Sequence, residues 1–147
     1  QIIDYTSARE HTFFDGINKP LNHIDFTYPY DESWRSQLIS TSKKLQIKFI
    51  DNGCYASVNG PRLETAAEIN RYENDGATIV GMTGMPEASL ARELDISYVA
   101  ICPVANHAAG RGLSKDGLNL ETINKNAKKM MTSVNALLKE VIKKIDH

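Results

Sequence analysis

The amino-acid sequence predicts an α/β fold, a layered sheet flanked by helices and finished by a long C-terminal amphipathic helix. Three observations carry this expectation. Short apolar or β-branched runs alternate with helix-period segments between residues 54 and 102. Turns marked by Gly or Pro separate those runs from the helices that follow. Past residue 120, apolar residues recur every three or four positions to the end of the chain.

The elements follow in order. Gln1-Ile2-Ile3-Asp4-Tyr5 opens the chain like the end of a strand already under way, so the molecule is expected to begin upstream. Residues 1–30 are irregular, aromatic and rich in Asp, Asn and Pro; so long an irregular stretch is expected to be functional or packed on a partner. Asp31 can cap a helix on which Trp34, Leu38 and Leu45 share one face. Residues 54–58 read as a strand. The loop Asn59-Gly60-Pro61-Arg62 then leads into a helix over 64–74 that stops at Gly76. Residues 78–80 form the next strand, Pro86 falls at the first turn of a helix over 87–94, and 97–102 is a further strand. In the tail, Ile123, Ala127, Met130, Val134, Leu137, Val141 and Ile145 make a stripe expected to pack on the sheet. Lys128, Lys129, Lys139, Lys143 and Lys144 form its solvated face.

Composition excludes several classes. The chain has 147 residues, 41% hydrophobic and 24% charged, with a formal net charge of -1, which suits one soluble globular domain. Both charge signs are interspersed, so there is no basic footprint for nucleic acid. No apolar run approaches the roughly 20 residues that span a bilayer, and no secretory pattern opens the chain. Cys54 and Cys102 lack metal-type spacing and sit in apolar segments, so they are expected to be buried thiols of a reducing, cytoplasmic setting. The histidines, His11, His23, His107 and His147, show no paired spacing, and no Ser-His-Asp set, zinc cluster or Walker loop appears.

Ligands of α/β sheets bind in the loops at the carboxyl ends of strands. Three such loops carry special residues. In Gly60-Pro61-Arg62-Leu63-Glu64-Thr65, an apolar side chain beside a carboxylate suits a flat heterocycle, one stacking on its face and the other reading its edge. Glu64 equally suits a helix start, where the helix dipole favours it. In Gly81-Met82-Thr83-Gly84-Met85-Pro86-Glu87, backbone N–H groups and the Thr83 hydroxyl could hold an anion, or Thr83 could be a turn residue and the methionines core fillers. In Ala105-Asn106-His107-Ala108-Ala109-Gly110, Asn106 is a ligand-binding amide or a turn former, and His107 reads as a surface histidine.

Taken together, GPRLETAAEI, VGMTGMPEASLAREL and a strand ending in VANHAAG resemble the trimeric nucleoside phosphorylase family. The similarity runs from IIDYTSAREHTFFDG and HIDFTYPYDE to about Arg111 and thins in the tail. The resemblance implies a mixed, twisted sheet flanked by helices, with residues 1–147 as the C-terminal portion of a single phosphorylase domain. The family's N-terminal Gly-rich phosphate loop and Arg-His pair do not precede Gln1, so the isolated chain is expected to be inactive and poorly stable. The implied reaction is phosphorolysis with inorganic phosphate as co-substrate and no metal or other cofactor, carried out by a homotrimer.

Residue by residue, the resemblance implies that Leu63 stacks on the purine, Met82 contacts the sugar and Thr83 offers its hydroxyl to phosphate. Asn106 bonds the base near N7 and its 6-substituent, and Glu64 matches the carboxylate that 6-oxopurine enzymes place at N1. An ionised Glu64 only accepts, which suits an N1–H, whereas an adenine N1 would oppose two acceptors at a cost of several kcal/mol if buried. Family members acting on adenosine-type substrates carry Asp in place of Asn106 and a second Asp in place of Ala108. Leu120 falls near the sugar's 5' end, where inosine-preferring members have a histidine; an apolar side chain suits a methylthio group. His23 matches a residue that reaches into the neighbouring subunit's site. S-methyl-5'-thioinosine is thus the expected substrate, ahead of inosine or guanosine and then 5'-methylthioadenosine. A non-catalytic nucleoside-binding module is the alternative of a different class.

Overall fold

A computed structural model describes residues 1–144 of the chain. At its centre lies a parallel three-stranded sheet in the order β1 (Ile2–Asp4), β2 (Tyr55–Ser57), β3 (Ile79–Gly81). Tyr55 is in register with Ile2 on one side and Ile79 on the other, and Ala56 and Ser57 are fully buried. The chain between parallel neighbours must cross over, and helices α1 (Glu32–Lys44) and α2 (Ala66–Asn74) lie in those crossovers. The strand expected at Ile2-Ile3 is in place. All ladders among the described residues are parallel, so the antiparallel member of a mixed sheet is not among them.

Each helix starts where a side chain satisfies its first N–H groups. The Asp31 carboxylate accepts from Trp34 N at 2.8 Å and from the Ser97 hydroxyl at 2.9 Å, which holds its pKa below the ordinary value. Leu45 ends α1 as its cap and is 38% exposed, so it leaves the face that Trp34 and Leu38 share. The second helix begins two residues later than the sequence suggests, because Thr65 is its cap. Thr65 Oγ1 accepts from Glu68 N, and Glu68 Oε2 accepts from Thr65 N at 2.8 Å, a reciprocal capping box. Arg62 grips the same carboxylate with two N–H donors at 2.8 and 2.6 Å. Arg62 first, then Thr65, draw the Glu68 pKa down from 4.5 to about 2. Helix α3 (Glu87–Glu93) follows Pro86, which sits at the cap position, one place before the first turn.

The tail is helix α4 (Leu120–Ile142), capped by Asn119, whose side chain accepts from Thr122 N at 2.9 Å. Its apolar stripe packs on α1 rather than on a laddered sheet. Leu137 and Val141 are buried with Leu38, and Trp34, Ile47, Val99 and Ile101 close around them. Ile123, Ala127, Met130 and Val134 continue the stripe half-buried, while Ile145 and His147 lie outside the described residues. No described helix is long and apolar enough to cross a membrane.

Two expectations need correction. The segment 97–102 forms no ladder. It is held instead by side chains and single bonds: Val99 and Ile101 enter the α1–α4 cluster, the Tyr98 ring stacks on Tyr30, and Tyr98 O accepts from Asp31 N at 2.8 Å. A β-branched run marks a half-buried extended segment, but a strand also needs a neighbour with free backbone groups. The cysteines are not both buried either: Cys54 is half-buried and Cys102 exposed, and both are unpaired.

Two outcomes are expected of the intact protein. Leu137→Ala, which empties a site only 5% exposed, should cost about 3 kcal/mol in urea unfolding, whereas Leu113→Ala, at a site 94% exposed, should stay within about 0.5 kcal/mol. The depressed Glu68 pKa makes its contribution present above pH 4.5 and lost as pH falls toward 2. The Tm gap between wild type and Glu68→Gln should therefore be widest near neutrality and narrow steadily below pH 4.5.

Candidate functional site

Because the three strands run the same way, their carboxyl ends open onto one edge of the sheet. The loops after β1, β2 and β3 therefore leave side by side. Gly60, at φ +65°, lets the second loop press on the third: a Cβ there would lie 2.3 Å from Met82 Sδ. Gly110, at φ +74°, does the same for the loop around Asn106, where a Cβ would stand 2.8 Å from the Ala66 Cβ at the start of α2. Arg111 fastens that loop to the same helix through Asn70 Oδ1 at 2.6 Å and Glu73 Oε2 at 2.7 Å. Asn126 of α4 donates to Ala105 O at 3.0 Å. The loops carrying Leu63 and Glu64, Met82 and Thr83, and Asn106 are thus neighbours, with the N-terminal half of α4 beside them.

Glu64 is half-buried and has no hydrogen-bond partner among the described residues. It precedes the cap of α2, so the role of first-turn carboxylate falls to Glu68, and the Arg62 fork is also spent there. A carboxylate left without donors at a loop edge is a ready acceptor. Beside it, Leu63 is 40% exposed, an apolar face open to a flat ring.

Thr83 is exposed at the turn after β3. Its N–H donates to Tyr55 Oη at 3.2 Å, and the Gly84 N–H donates to Glu87 Oε2 at 3.2 Å. Those two backbone donors are engaged within the chain, while the Thr83 side chain stays exposed. Tyr55 Oη lies 3.3 Å from Thr83 Oγ1. With its oxygen already accepting the Thr83 N–H, Tyr55 can donate its own proton to Oγ1, which frees the Thr83 proton to point outward. Tyr55 escaped the sequence reading; its only signal was a tyrosine on a short strand facing a glycine. That glycine is required, since a Cβ on Gly81 would fall 2.2 Å from Tyr55 Oη. Met82 is half-buried at the turn, and Met85 is a core residue at 6% exposure.

Asn106 is exposed and donates through Nδ2 to His107 O at 2.7 Å. That bond fixes the amide's orientation and leaves one N–H and the Oδ1 acceptor free. The His107 ring packs over Gly112, whose hypothetical Cβ would touch it at 2.7 Å, in keeping with a structural histidine. Leu120 is the first residue of α4 and 62% exposed. His23 is exposed in the irregular N-terminal stretch, and no hydrogen bond among the described residues ties it to these loops.

Comparison with known proteins places this geometry. The sequence model of the phosphorylase superfamily matches residues 1–143. A probable S-methyl-5'-thioinosine phosphorylase of Thermodesulfovibrio yellowstonii is 47% identical over 146 residues, covering 99% of this chain and 54% of that protein. One from Pseudomonas syringae pv. tomato is 53% identical over 110 residues, covering 75% of this chain and 45% of its own length. Among solved structures, methylthioadenosine phosphorylase from Schistosoma mansoni in complex with adenine superposes with a TM-score of 0.90 at 26% identity, over 99% of this chain and 57% of that one. The chain spans about half the length of the relatives it matches. Matched over nearly its whole length, the chain belongs to the phosphorylase superfamily.

Proposed function

We propose that this chain serves, in the intact protein, in the phosphorolysis of S-methyl-5'-thioinosine to hypoxanthine and 5-methylthioribose 1-phosphate. The relatives named for that activity support the reading. The single observation that carries it is the contact of Gly110 on Ala66, which lays the Asn106 loop against the segment bearing Glu64.

The chemistry follows from donors and acceptors. A 6-oxopurine presents N1–H beside O6. Glu64 accepts from N1–H, and the free N–H of Asn106 donates to O6 or N7. A phosphate oxygen bonds to the anomeric carbon as the C–N9 bond breaks, and the departing electron pair spreads over the purine. The Asn106 donor strengthens as that negative charge grows, so it favours the transition state over the ground state. Thr83 orients phosphate with its hydroxyl, Met82 lines the sugar and Leu63 covers the ring face. Leu120 offers apolar surface to the 5'-methylthio group, and His23 is contributed by the neighbouring subunit of a homotrimer. Phosphate is the co-substrate, and the reaction needs no metal or other cofactor. Unpaired Cys54 and Cys102 suit the reducing cytoplasm.

Absorbance assays of the intact enzyme with phosphate and, in turn, methylthioinosine, inosine, guanosine and methylthioadenosine test this. Methylthioinosine is expected first and methylthioadenosine last. Best turnover on methylthioadenosine overturns the edge-matching argument, phosphate-dependent release of free base dismisses the non-catalytic nucleoside-binding module, and no release of base from any of the four returns the chain to that role. Asn106→Asp should lower kcat/KM on 6-oxopurines by about 10- to 100-fold and raise use of 6-aminopurines. Unchanged selectivity removes Asn106 as the base reader.

A further inference from the structure

Apart from His23, the loop after β1 carries no residue assigned so far, yet it is bonded to two of the three loops that do. Arg9 Nη1 donates to Met82 O at 3.1 Å and Met85 O at 2.5 Å, on either side of Thr83. Arg9 Nη2 donates to Val58 O at 3.2 Å and Asn59 O at 3.0 Å, at the base of the loop that holds Leu63 and Glu64. One planar guanidinium therefore bridges the two strand-end turns through four backbone carbonyls. Among the described residues it has no carboxylate partner, so its donors are committed to this task.

The rest of the loop is built to aim that side chain. Ala8, immediately before it, has φ +57°, a left-handed conformation that a residue with a Cβ adopts only when its surroundings impose it. On the near side, Ser7 N donates to Asn59 Oδ1 at 3.2 Å, while Asn59 Nδ2 donates back to Ser7 O at 3.1 Å. On the far side, Ser89 Oγ of α3 donates to His11 O at 3.1 Å. Within the loop, Asp4 Oδ2 lies 3.3 Å from His11 Nδ1, and His11 Nε2 lies 3.1 Å from Thr6 Oγ1.

We propose that Arg9 is a positioning residue for the phosphate- and base-binding turns, setting the offset of Thr83 from Leu63 and Glu64 by clamping the carbonyls of both turns at once. This rests on the proposed function for its kinetic consequence, though not for the clamp itself. Lysine cannot replace it: an ammonium keeps the charge but offers a point donor in place of a fork. Misplacing a binding group by an ångström is enough to cost about 100-fold in rate.

The test compares wild type, Arg9→Lys and Arg9→Ala in the intact enzyme, well below the Tm of each. Arg9→Lys is expected to lower kcat/KM by about 10- to 100-fold, with KM for phosphate rising and the amides of Thr83 and Gly84 exchanging hydrogen faster. Free guanidinium, and not methylammonium, is expected to restore part of the activity of Arg9→Ala. A purely architectural arginine would lower Tm and leave kcat, both KM values and the exchange of residues 82–85 as in wild type, and that result overturns the proposal. If wild type itself shows no phosphorolysis, the functional reading fails, and the exchange measurement alone decides the clamp: faster exchange in Arg9→Lys supports it and unchanged exchange overturns it.

Discussion

Two parallel ladders on either side of β2 govern where chemistry can occur in this chain. The ladders are short, but the pairing runs one step past them. Tyr5 N donates to Ser57 O and Val58 N to Gly81 O, each at 2.9 Å. Each loop therefore departs from a backbone already fixed by its neighbour, and all leave in the same direction. That shared direction brings a carboxylate, a hydroxyl and an amide from distant stretches of sequence to one edge of the sheet without long side chains to reach across. Placing them on separate loops also means that small backbone shifts, rather than rotamer changes, set the fit. A frame with this property needs ties between the loops, and the carbonyl-bridging guanidinium at position 9 is one.

Close approach without a side chain is the second kind of tie. Gly60 and Gly110 have positive φ and stand against Met82 and Ala66 at distances no real Cβ adopts. Gly81 is a different case, since its role is to leave room for the Tyr55 hydroxyl under Thr83. Three glycines thus perform three separate jobs. They turn a chain, seat a loop on a helix, and admit a hydrogen-bonding side chain from the adjacent strand. None of these jobs adds binding energy by itself. Each removes an obstacle that a Cβ would place between neighbouring segments.

Much of this was legible in the sequence, and the misses share a cause. The cap at Asp31, the stops near Gly76 and Leu94, and the start of α4 near residue 120 are local features written in neighbouring residues. The three loops were legible for the same reason, as turn residues beside polar ones. What failed depended on distant partners. Residues 97–102 have strand composition, but a ladder is a property of two segments. The helical stripe of α4 was visible, whereas its partner, α1 rather than the sheet, was not. Tyr55 and Arg9 act across 28 to 76 positions of sequence, and neither belongs to a pattern that spacing can reveal. Two of the backbone N–H groups in the turn after β3, those of Thr83 and Gly84, are likewise taken by distant or non-adjacent side chains, Tyr55 and Glu87.

The start of α2 shows how a structural demand and a chemical one can be separated within a few residues. Two carboxylates, Glu64 and Glu68, flank the cap at Thr65, and either could satisfy the helix terminus or neutralise Arg62. Glu68 does both, accepting from the Thr65 backbone and hydroxyl and from the Arg62 fork. Those bonds favour its charged form and hold its pKa down to about 2. Had Arg62 turned to Glu64 instead, that carboxylate would meet a ring N1–H already saturated with stronger donors, and the difference between an N1–H and a bare N1 would carry little weight. Sparing Glu64 preserves the contrast. On the proposed base-reading role of Glu64, a half-buried acceptor with no other partner among the described residues favours a base edge that donates and opposes one that does not, so that discrimination would depend on the pairing made four residues away.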